Sequence, residues 1–154
     1  MYSYYLDTSA LAKHYLVEPG SCWINELLQR TTSDRFVSTE LATIEVVSAI
    51  ARAEREKRIS VSLRNGLAAR LLEEVRRVVG LARPSQQILS HASQLVLRYP
   101  LRAYDAVHLA TALKIRGESL LSGLPAPIFV SADANLLAAA RAEGLAAENP
   151  NEYE

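Results

Sequence analysis

Four carboxylates stand where an acid is energetically costly, inside or against apolar runs of the chain. Asp7 follows the apolar run 4–6, Glu45 interrupts the run 41–47, Asp105 opens the run 106–110, and Asp133 comes shortly after the run 128–130. Removing an ionised carboxylate from water costs several kcal/mol unless something compensates the charge. One such acid can be a helix cap, whereas four acids require a shared counter-charge. A divalent metal ion is the counter-charge that proteins usually employ for this purpose.

Each acid also has a structural interpretation that stays open when the acid is taken singly. Asp7 and Asp133 could cap the helices that follow them, because Asp is a favoured N-cap residue. Glu45 could lie on an exposed helix surface, and Asp105 could interact with the dipole of a helix N-terminus. Four clustered acids without a counter-charge would repel one another. The four positions together therefore favour a metal site.

Short apolar strands alternate with amphipathic helices along the chain. The predicted strands are Tyr2–Leu6, Arg35–Ser38, a brief one near Leu81, Ile128–Val130 and an edge strand at Leu145–Ala147. The predicted helices are 10–16, one starting at Ser21, Thr39–Lys57, one from Ser60 or Ser62 to Val79, Ser85–Arg98, Leu101–Arg116 and Asp133–Glu143. In the third of these the expected inner stripe is Leu41, Ile44, Val47, Ser48 and Ala51, with Glu45 at its border. Gly117 and Gly144 are expected to end the helices that precede them.

This order predicts an α/β fold with a short, mostly parallel central sheet of four to five strands and helices on both faces. Ligands in such sheets bind beyond the carboxyl ends of the strands. Asp7 and Asp133 share the order strand, Asp, helix, and the two other acids lie on helices. The four side chains are therefore expected to converge on one pocket.

Composition excludes several classes of protein. A chain of 154 residues with 49% hydrophobic residues is expected to form a single folded domain over residues 1–154. Cys22 is the only cysteine, so neither an internal disulfide nor a cysteine zinc framework is possible. No apolar run is long enough to span a membrane, and the first residues do not resemble a signal peptide. We expect a cytoplasmic protein without membrane contact.

Four segments resemble the acidic motifs of PIN domains, in the family's order and over essentially the whole chain. They are 5–11 around Asp7, 45–50 beginning at Glu45, 104–113 around Asp105, and 129–136 around Asp133. The third segment is the most specific. Ser131 stands where Thr is frequent in the family, and it retains the hydroxyl group. The length of the chain and the residues of its motifs resemble those of the VapC toxins of VapBC toxin–antitoxin pairs.

The resemblance implies a metal-dependent endoribonuclease toxin. Asp7, Glu45, Asp105 and Asp133 would form the catalytic set that holds Mg²⁺ or Mn²⁺, supported by hydrogen bonds from Thr8 or Ser9 and Ser131. The expected partners are an RNA substrate, a VapB-type antitoxin and a second copy of the chain in a homodimer.

Net charge is zero, with 17 basic and 17 acidic residues, so RNA binding would depend on local basic groups. Candidates are Lys13, Arg52, Arg55 and Arg102.

Several alternatives remain at this stage. Glu40 could be the second acid in place of Glu45. It lies five positions earlier on the helix, however, and so points away from the face that carries Glu45. A Mg²⁺-dependent phosphatase of the haloacid dehalogenase type also begins with a strand and an Asp. It needs a second Asp two positions on, where this chain has Ser9. A non-catalytic PIN-like binding module is the third possibility. His108 is expected to be a buried, hydrogen-bonded core residue.

Overall fold

A five-stranded, fully parallel sheet forms the centre of the molecule. The computed structural model describes residues 1–153. The strands are β1 Ser3–Leu6, β2 Arg35–Thr39, β3 Gly80–Ala82, β4 Ile128–Val130 and β5 Ala147–Glu148. Their order across the sheet is β3-β2-β1-β4-β5, and each neighbouring pair is parallel. The predicted α/β class and the number of strands are confirmed.

Seven α-helices connect the strands. They are α1 Thr8–Leu11, α2 Ser21–Leu28, α3 Leu41–Arg55, α4 Val61–Val78, α5 Gln86–Arg98, α6 Ala103–Leu121 and α7 Ala134–Ala142. Two short 3₁₀ helices, Ala12–His14 and Pro150–Glu152, complete the described residues. The helix expected over 10–16 is thus a single α turn followed by a 3₁₀ turn. Within residues 1–153 no helix combines the length and apolar character that a membrane span requires.

Helices cover both faces of the sheet, as predicted. Successive side chains of a strand point to opposite faces, and β1 shows this directly. Tyr4 and Leu6 pack into a core with α1 to α4, whereas Tyr5 packs into a second core with α5, α6 and α7. Burial of both faces explains why the strands contain continuous apolar runs.

The buried face of α3 differs from the predicted stripe. The helix buries Ala42, Val46, Ile50 and Ala53, and the side chain of Ile44 is 69% exposed. Residues 41–51 are apolar on more than one face, so periodicity alone does not select the buried one. Packing against α1 and α4 selects it. Glu45 still lies beside the buried stripe, since Ala42 and Ala49 are its neighbours one turn away.

The prediction that Gly117 ends its helix is wrong, because α6 continues through Gly117 to Leu121. Glycine is tolerated inside a helix at a cost of about 1 kcal/mol relative to alanine. By contrast, Gly144 does follow the end of α7, and its φ of +82° is a left-handed conformation that suits glycine.

Gly117→Ala is therefore expected to stabilise the protein by about 0.5–1 kcal/mol, because a Cβ at this position meets no atom within 4 Å. Gly144→Ala is the matched control. It should destabilise the protein, since its φ is positive and its Cβ would lie 3.1 Å from Nη1 of Arg116. Denaturant unfolding of both variants measures the two free energies. A loss of stability in Gly117→Ala would contradict the helical assignment.

Candidate active site

The candidate site lies where the strand order of the sheet reverses. The chain runs from β1 outward to β2 and β3, and then returns to place β4 on the other side of β1. Connections that leave neighbouring strands in opposite directions open a crevice at their carboxyl ends. Asp7 follows β1 directly and Ser131 follows β4 directly, and the amide of Asp7 donates to the carbonyl of Val130 at 3.1 Å. The two strand ends are thus fixed side by side.

Asp7 is the most constrained of the four acids. Its side chain caps α1 by accepting from the amide of Ala10 at 2.8 Å. The hydroxyl of Ser9 donates to Oδ1 at 2.7 Å, and the hydroxyl of Ser131 donates to Oδ2 at 2.7 Å. Capping and site formation are therefore compatible roles for this residue. Ser9 and Ser131, two of the predicted supporting residues, both contact it directly.

Burial raises the pKa of the Asp7 carboxyl above its ordinary value. Desolvation is the main cause, and it is opposed by His108 and by the hydrogen bonds from Ala10, Ser131 and Ser9. The donors hold the ionised form in place without fully compensating its lost hydration. A nearby cation would supply the missing compensation.

The same serines connect Asp7 to the fourth acid. Ser9 Oγ accepts from the amide of Ala132 at 2.7 Å, and Ser131 Oγ accepts from the amide of Asp133 at 3.0 Å. Asp133 itself caps α7 by accepting from the amide of Leu136 at 2.9 Å. Both acids that follow strands are thus N-caps that belong to one hydrogen-bond network.

Glu45 is held by His108, which lies on α6. Oε1 of Glu45 is 2.9 Å from Nε2 of His108, and Oγ1 of Thr8 is 3.0 Å from the same nitrogen. Nδ1 of His108 lies 3.1 Å from the hydroxyl of Tyr5. Because a carboxylate only accepts, the neutral tautomer that satisfies both sides carries its proton on Nε2 and accepts from Tyr5 at Nδ1. His108 is 2% exposed, so the prediction of a buried, hydrogen-bonded residue is confirmed.

The negative charge of Asp133 makes Asp105 harder to ionise. Asp105 lies in the first turn of α6, where its Oδ2 accepts from the amide of Arg102 at 3.3 Å. Its pKa is raised, first by partial burial and then by the negative charge of Asp133. Two carboxylates that repel in this way are stabilised when a cation binds between or beside them.

All four predicted acids line one cavity of about 350 Å³, together with Thr8, Ser9 and His108. Ser131 is fully buried and contacts Asp7 at the wall of this cavity. Glu40, the rival of Glu45, is not part of the lining and pairs with Arg83 at 3.3 Å. The structure thus brings the predicted residues together and places the rival elsewhere.

Basic side chains line the same cavity. Lys13, Arg52 and Arg102 were candidates from the sequence and are part of the lining, whereas Arg55 is not. Arg58 also lines the cavity and was not among the candidates. Lys13 and Arg58 share Glu18 as an ion-pair partner, at 3.7 and 3.5 Å. The cavity is therefore lined by both acidic and basic side chains.

The donor set fits a hard divalent cation. Carboxylate oxygens are the ligands that Mg²⁺ and Mn²⁺ prefer. Among residues 1–153, no three Asp, Glu, His or Cys side chains converge on a single point as they stand. Mg²⁺ commonly keeps several of its waters and needs only one or two direct carboxylates. Asp7, Glu45, Asp105 and Asp133 are the residues that would hold such an ion.

The role of His108 in holding Glu45 was not anticipated from the sequence. His108 lies three residues after Asp105, so both are on one side of α6. This spacing could have predicted that His108 faces the site. The contact with Glu45 joins residues 63 positions apart, and no local pattern predicts such a pair.

Together, the parallel sheet and the carboxylate cavity at its switch point, where the strand order reverses, define an α/β protein with an acidic site at one edge of the sheet. More particularly, a model described as the PIN domain matches residues 4–142, and the chain belongs to this family.

Solved structures show the same fold at low sequence identity. PAE2754 from Pyrobaculum aerophilum is 19% identical with a TM-score of 0.65, over 98% of this chain and 92% of that one. A chain of VapBC2 from Rickettsia felis, bound to a DNA fragment from its promoter, is 12% identical with a TM-score of 0.61, over 96% and 98%. A chain of a toxin–antitoxin complex from Klebsiella pneumoniae is 16% identical with a TM-score of 0.56, over 96% and 97%. No curated protein matches the chain significantly.

Proposed function

We propose that this protein is a Mg²⁺- or Mn²⁺-dependent endoribonuclease, and that it is the toxin of a type II toxin–antitoxin pair. One observation carries the proposal: four carboxylates from four separate segments line one cavity at the switch point of a PIN fold. Membership in the PIN family supports a nuclease. The fold shared with toxin–antitoxin complexes supports the toxin role.

The proposed chemistry assigns a role to each part of the cavity. A divalent ion held by the acids would lower the pKa of a water molecule and offset the charge of the phosphate. Ser9 and Ser131 hold the Asp7 carboxylate in one orientation, and His108 does the same for Glu45. Arg52 and Arg102 in the cavity wall would attract the phosphates of RNA into an otherwise acidic site.

Partners follow from the same proposal. A VapB-type antitoxin would neutralise the activity, and a homodimer would be the assembled form of the toxin. We also propose that residues 1–154 form one PIN domain, because the family match spans most of the chain. A small gene encoding an antitoxin beside the gene for this protein would support the toxin role over that of a general ribonuclease.

The test is cleavage of RNA by the purified protein. We expect cleavage with Mg²⁺ or Mn²⁺, loss of cleavage in excess chelator, and recovery when the ion is restored. A parallel assay with a small phosphate monoester should give no product, since a phosphatase of the haloacid dehalogenase type needs an Asp where this chain has Ser9. Full cleavage in chelator would exclude the metal mechanism, and no cleavage under any condition would favour a non-catalytic PIN-like module.

A further inference from the structure

A second groove lies directly beside the acidic cavity. It has a volume of about 410 Å³ and is formed by α3, the start of α6 and the first residue of α1. Its lining is Thr8, Leu41, Ile44, Glu45, Ser48, Ala49, Arg52 and Tyr104. Two of these are large apolar side chains open to solvent, Ile44 at 69% exposed and Tyr104 at 58% exposed. Exposed apolar side chains that share a groove indicate a binding surface.

The groove and the acidic cavity are continuous. Thr8, Glu45, Ala49 and Arg52 line both. Tyr104 precedes the acid Asp105 in the chain, so the aromatic ring and a predicted metal ligand start from adjacent backbone positions. A group bound in the groove therefore lies next to whatever is bound at the four acids.

The guanidinium of Arg52 stands at the boundary between the two spaces. Arg52 is exposed, and within residues 1–153 it forms no ion pair. A cation available at this position suits an anion that passes from the cavity into the groove. A single strand of nucleic acid fits this arrangement, since each base, with flat faces that can stack on an aromatic ring, is attached to a charged phosphodiester backbone.

We propose that this groove receives one unpaired nucleobase of the RNA, next to the phosphate that is cut, with Tyr104 stacking on the base and Ile44 closing the other side. The inference rests on the proposed function and extends it to a substrate feature. Stacking on an aromatic ring requires a base that has left the helix stack. Duplex RNA cannot offer such a base, so the groove selects single-stranded or looped RNA.

The occupant favoured by these observations is a base rather than an apolar protein segment. The groove is bordered on the cavity side by Glu45, Thr8 and Arg52, and Ser48 also lines it. These polar groups can bond to the edge of a base. A cation beside the metal-binding acids also matches a phosphate better than it matches an aliphatic side chain.

The experiment uses a short single-stranded RNA whose cleavage site is first mapped with the wild-type protein. Each nucleotide flanking that bond is then replaced, one at a time, by an abasic residue. We expect one position at which base removal lowers kcat/KM on the order of tenfold, as loss of one stacked base should. Tyr104→Ala should lower cleavage of the intact RNA by a similar factor and should cause little further loss on the abasic RNA. Tyr104→Phe should retain stacking and activity.

Two controls make the result specific. Leu97→Ala removes an apolar side chain on α5 that is 89% exposed, more than Tyr104, and lies outside the groove, and it should change neither rate. A 2-aminopurine placed at the sensitive position should lose fluorescence on binding to wild-type protein and to Leu97→Ala. That loss should be smaller with Tyr104→Ala.

The possible outcomes are distinct. Cleavage that is equally fast on every abasic RNA, or unchanged by Tyr104→Ala, overturns the inference while the proposed ribonuclease stands. In that case the groove is left to a protein partner. Equal cleavage of duplex and single-stranded RNA also overturns it. Absence of RNA cleavage by the wild-type protein overturns the proposed function, and this inference with it.

Discussion

Asp7→Asn is expected to lower RNA cleavage at least about a hundredfold while leaving the fold intact. Asp7 lies at the switch point and accepts hydrogen bonds from three groups, so its carboxylate has a fixed position in the cavity. Asparagine removes the negative charge and therefore removes one ligand for a divalent cation. The measurement is the cleavage rate of RNA with Mg²⁺ or Mn²⁺.

The variant is expected to be as stable as the wild type near neutral pH, because asparagine can replace every contact. Its carbonyl oxygen can accept from the amide of Ala10 and the hydroxyl of Ser9, and its amide can donate to Ser131. Asn and Asp are equally good N-caps. The substitution also removes a buried charge whose desolvation is unfavourable.

The stability of the two proteins should diverge with pH in a defined direction. The folded pKa of Asp7 is raised above its ordinary value of 3.8. Such a group binds its proton more tightly in the folded state, so its contribution is fully present below pH 3.8 and is lost as pH rises through the folded pKa. Wild type should therefore gain stability relative to Asp7→Asn as pH falls. Thermal unfolding in chelator, from pH 7 to pH 4, measures this difference.

Asp34→Asn is the matched control for both experiments. Asp34 is half-buried, accepts from the amide of Tyr2 at 2.8 Å, and lies outside the cavity. Its replacement should preserve both this contact and the cleavage rate. Undiminished cleavage by Asp7→Asn would contradict the proposed metal site.

His108→Ala is expected to cost about 3 kcal/mol of stability and to reduce cleavage about tenfold or more. The substitution leaves a cavity beside β1 and removes the partner of three groups, Tyr5, Thr8 and Glu45. Tyr5 is fully buried, so its hydroxyl cannot turn to water. Denaturant unfolding gives the first value, and cleavage rates of the folded protein give the second.

His108→Gln separates the two effects. A glutamine amide can still donate to Glu45 and should restore part of the activity, although its different shape should leave much of the stability loss. Tyr5→Phe removes only the hydroxyl and should cost about 1 kcal/mol with a small effect on cleavage. His91→Ala is the control, since His91 is partly buried and lies outside the acidic cavity. Equal activity in His108→Ala and wild type would show that His108 does not position Glu45.

Local chemistry made most of the site predictable. Asp7 and Asp133 follow apolar strands and precede helices, and parallel strands bring their carboxyl ends to one edge. Asp105 lies in the first turn of a largely buried helix, so the packing of that helix fixes the position of the carboxylate. The face of α3 was harder to predict, because its apolar residues satisfy helical spacing in more than one way. Ile44 was placed in the core and instead lines the groove beside the site.

The end of α6 was also predicted wrongly from local sequence alone. Glycine disfavours a helix by only about 1 kcal/mol, and Gly117 lies in a helix whose preceding turns are buried against the second core. The stabilisation that α6 gains from packing is larger than this cost, so the helix continues through Gly117. Gly144 differs from Gly117 in its backbone, because its φ of +82° is a left-handed conformation that cannot continue a helix, and α7 ends before it as predicted.

By itself, the sequence determined the class of fold, the order of its strands and helices, and the four acids that the family motifs share. The fold class and the order of elements depend on periodicity and on contacts within a few residues, whereas the four acids as a set come from segments that resemble the family motifs. Tertiary structure decided which carboxylate each hydroxyl contacts, that His108 holds Glu45, which cations line the cavity, and that Ile44 and Tyr104 share a groove. Those relations join residues tens of positions apart, and only the folded sheet and its packed helices bring such residues together.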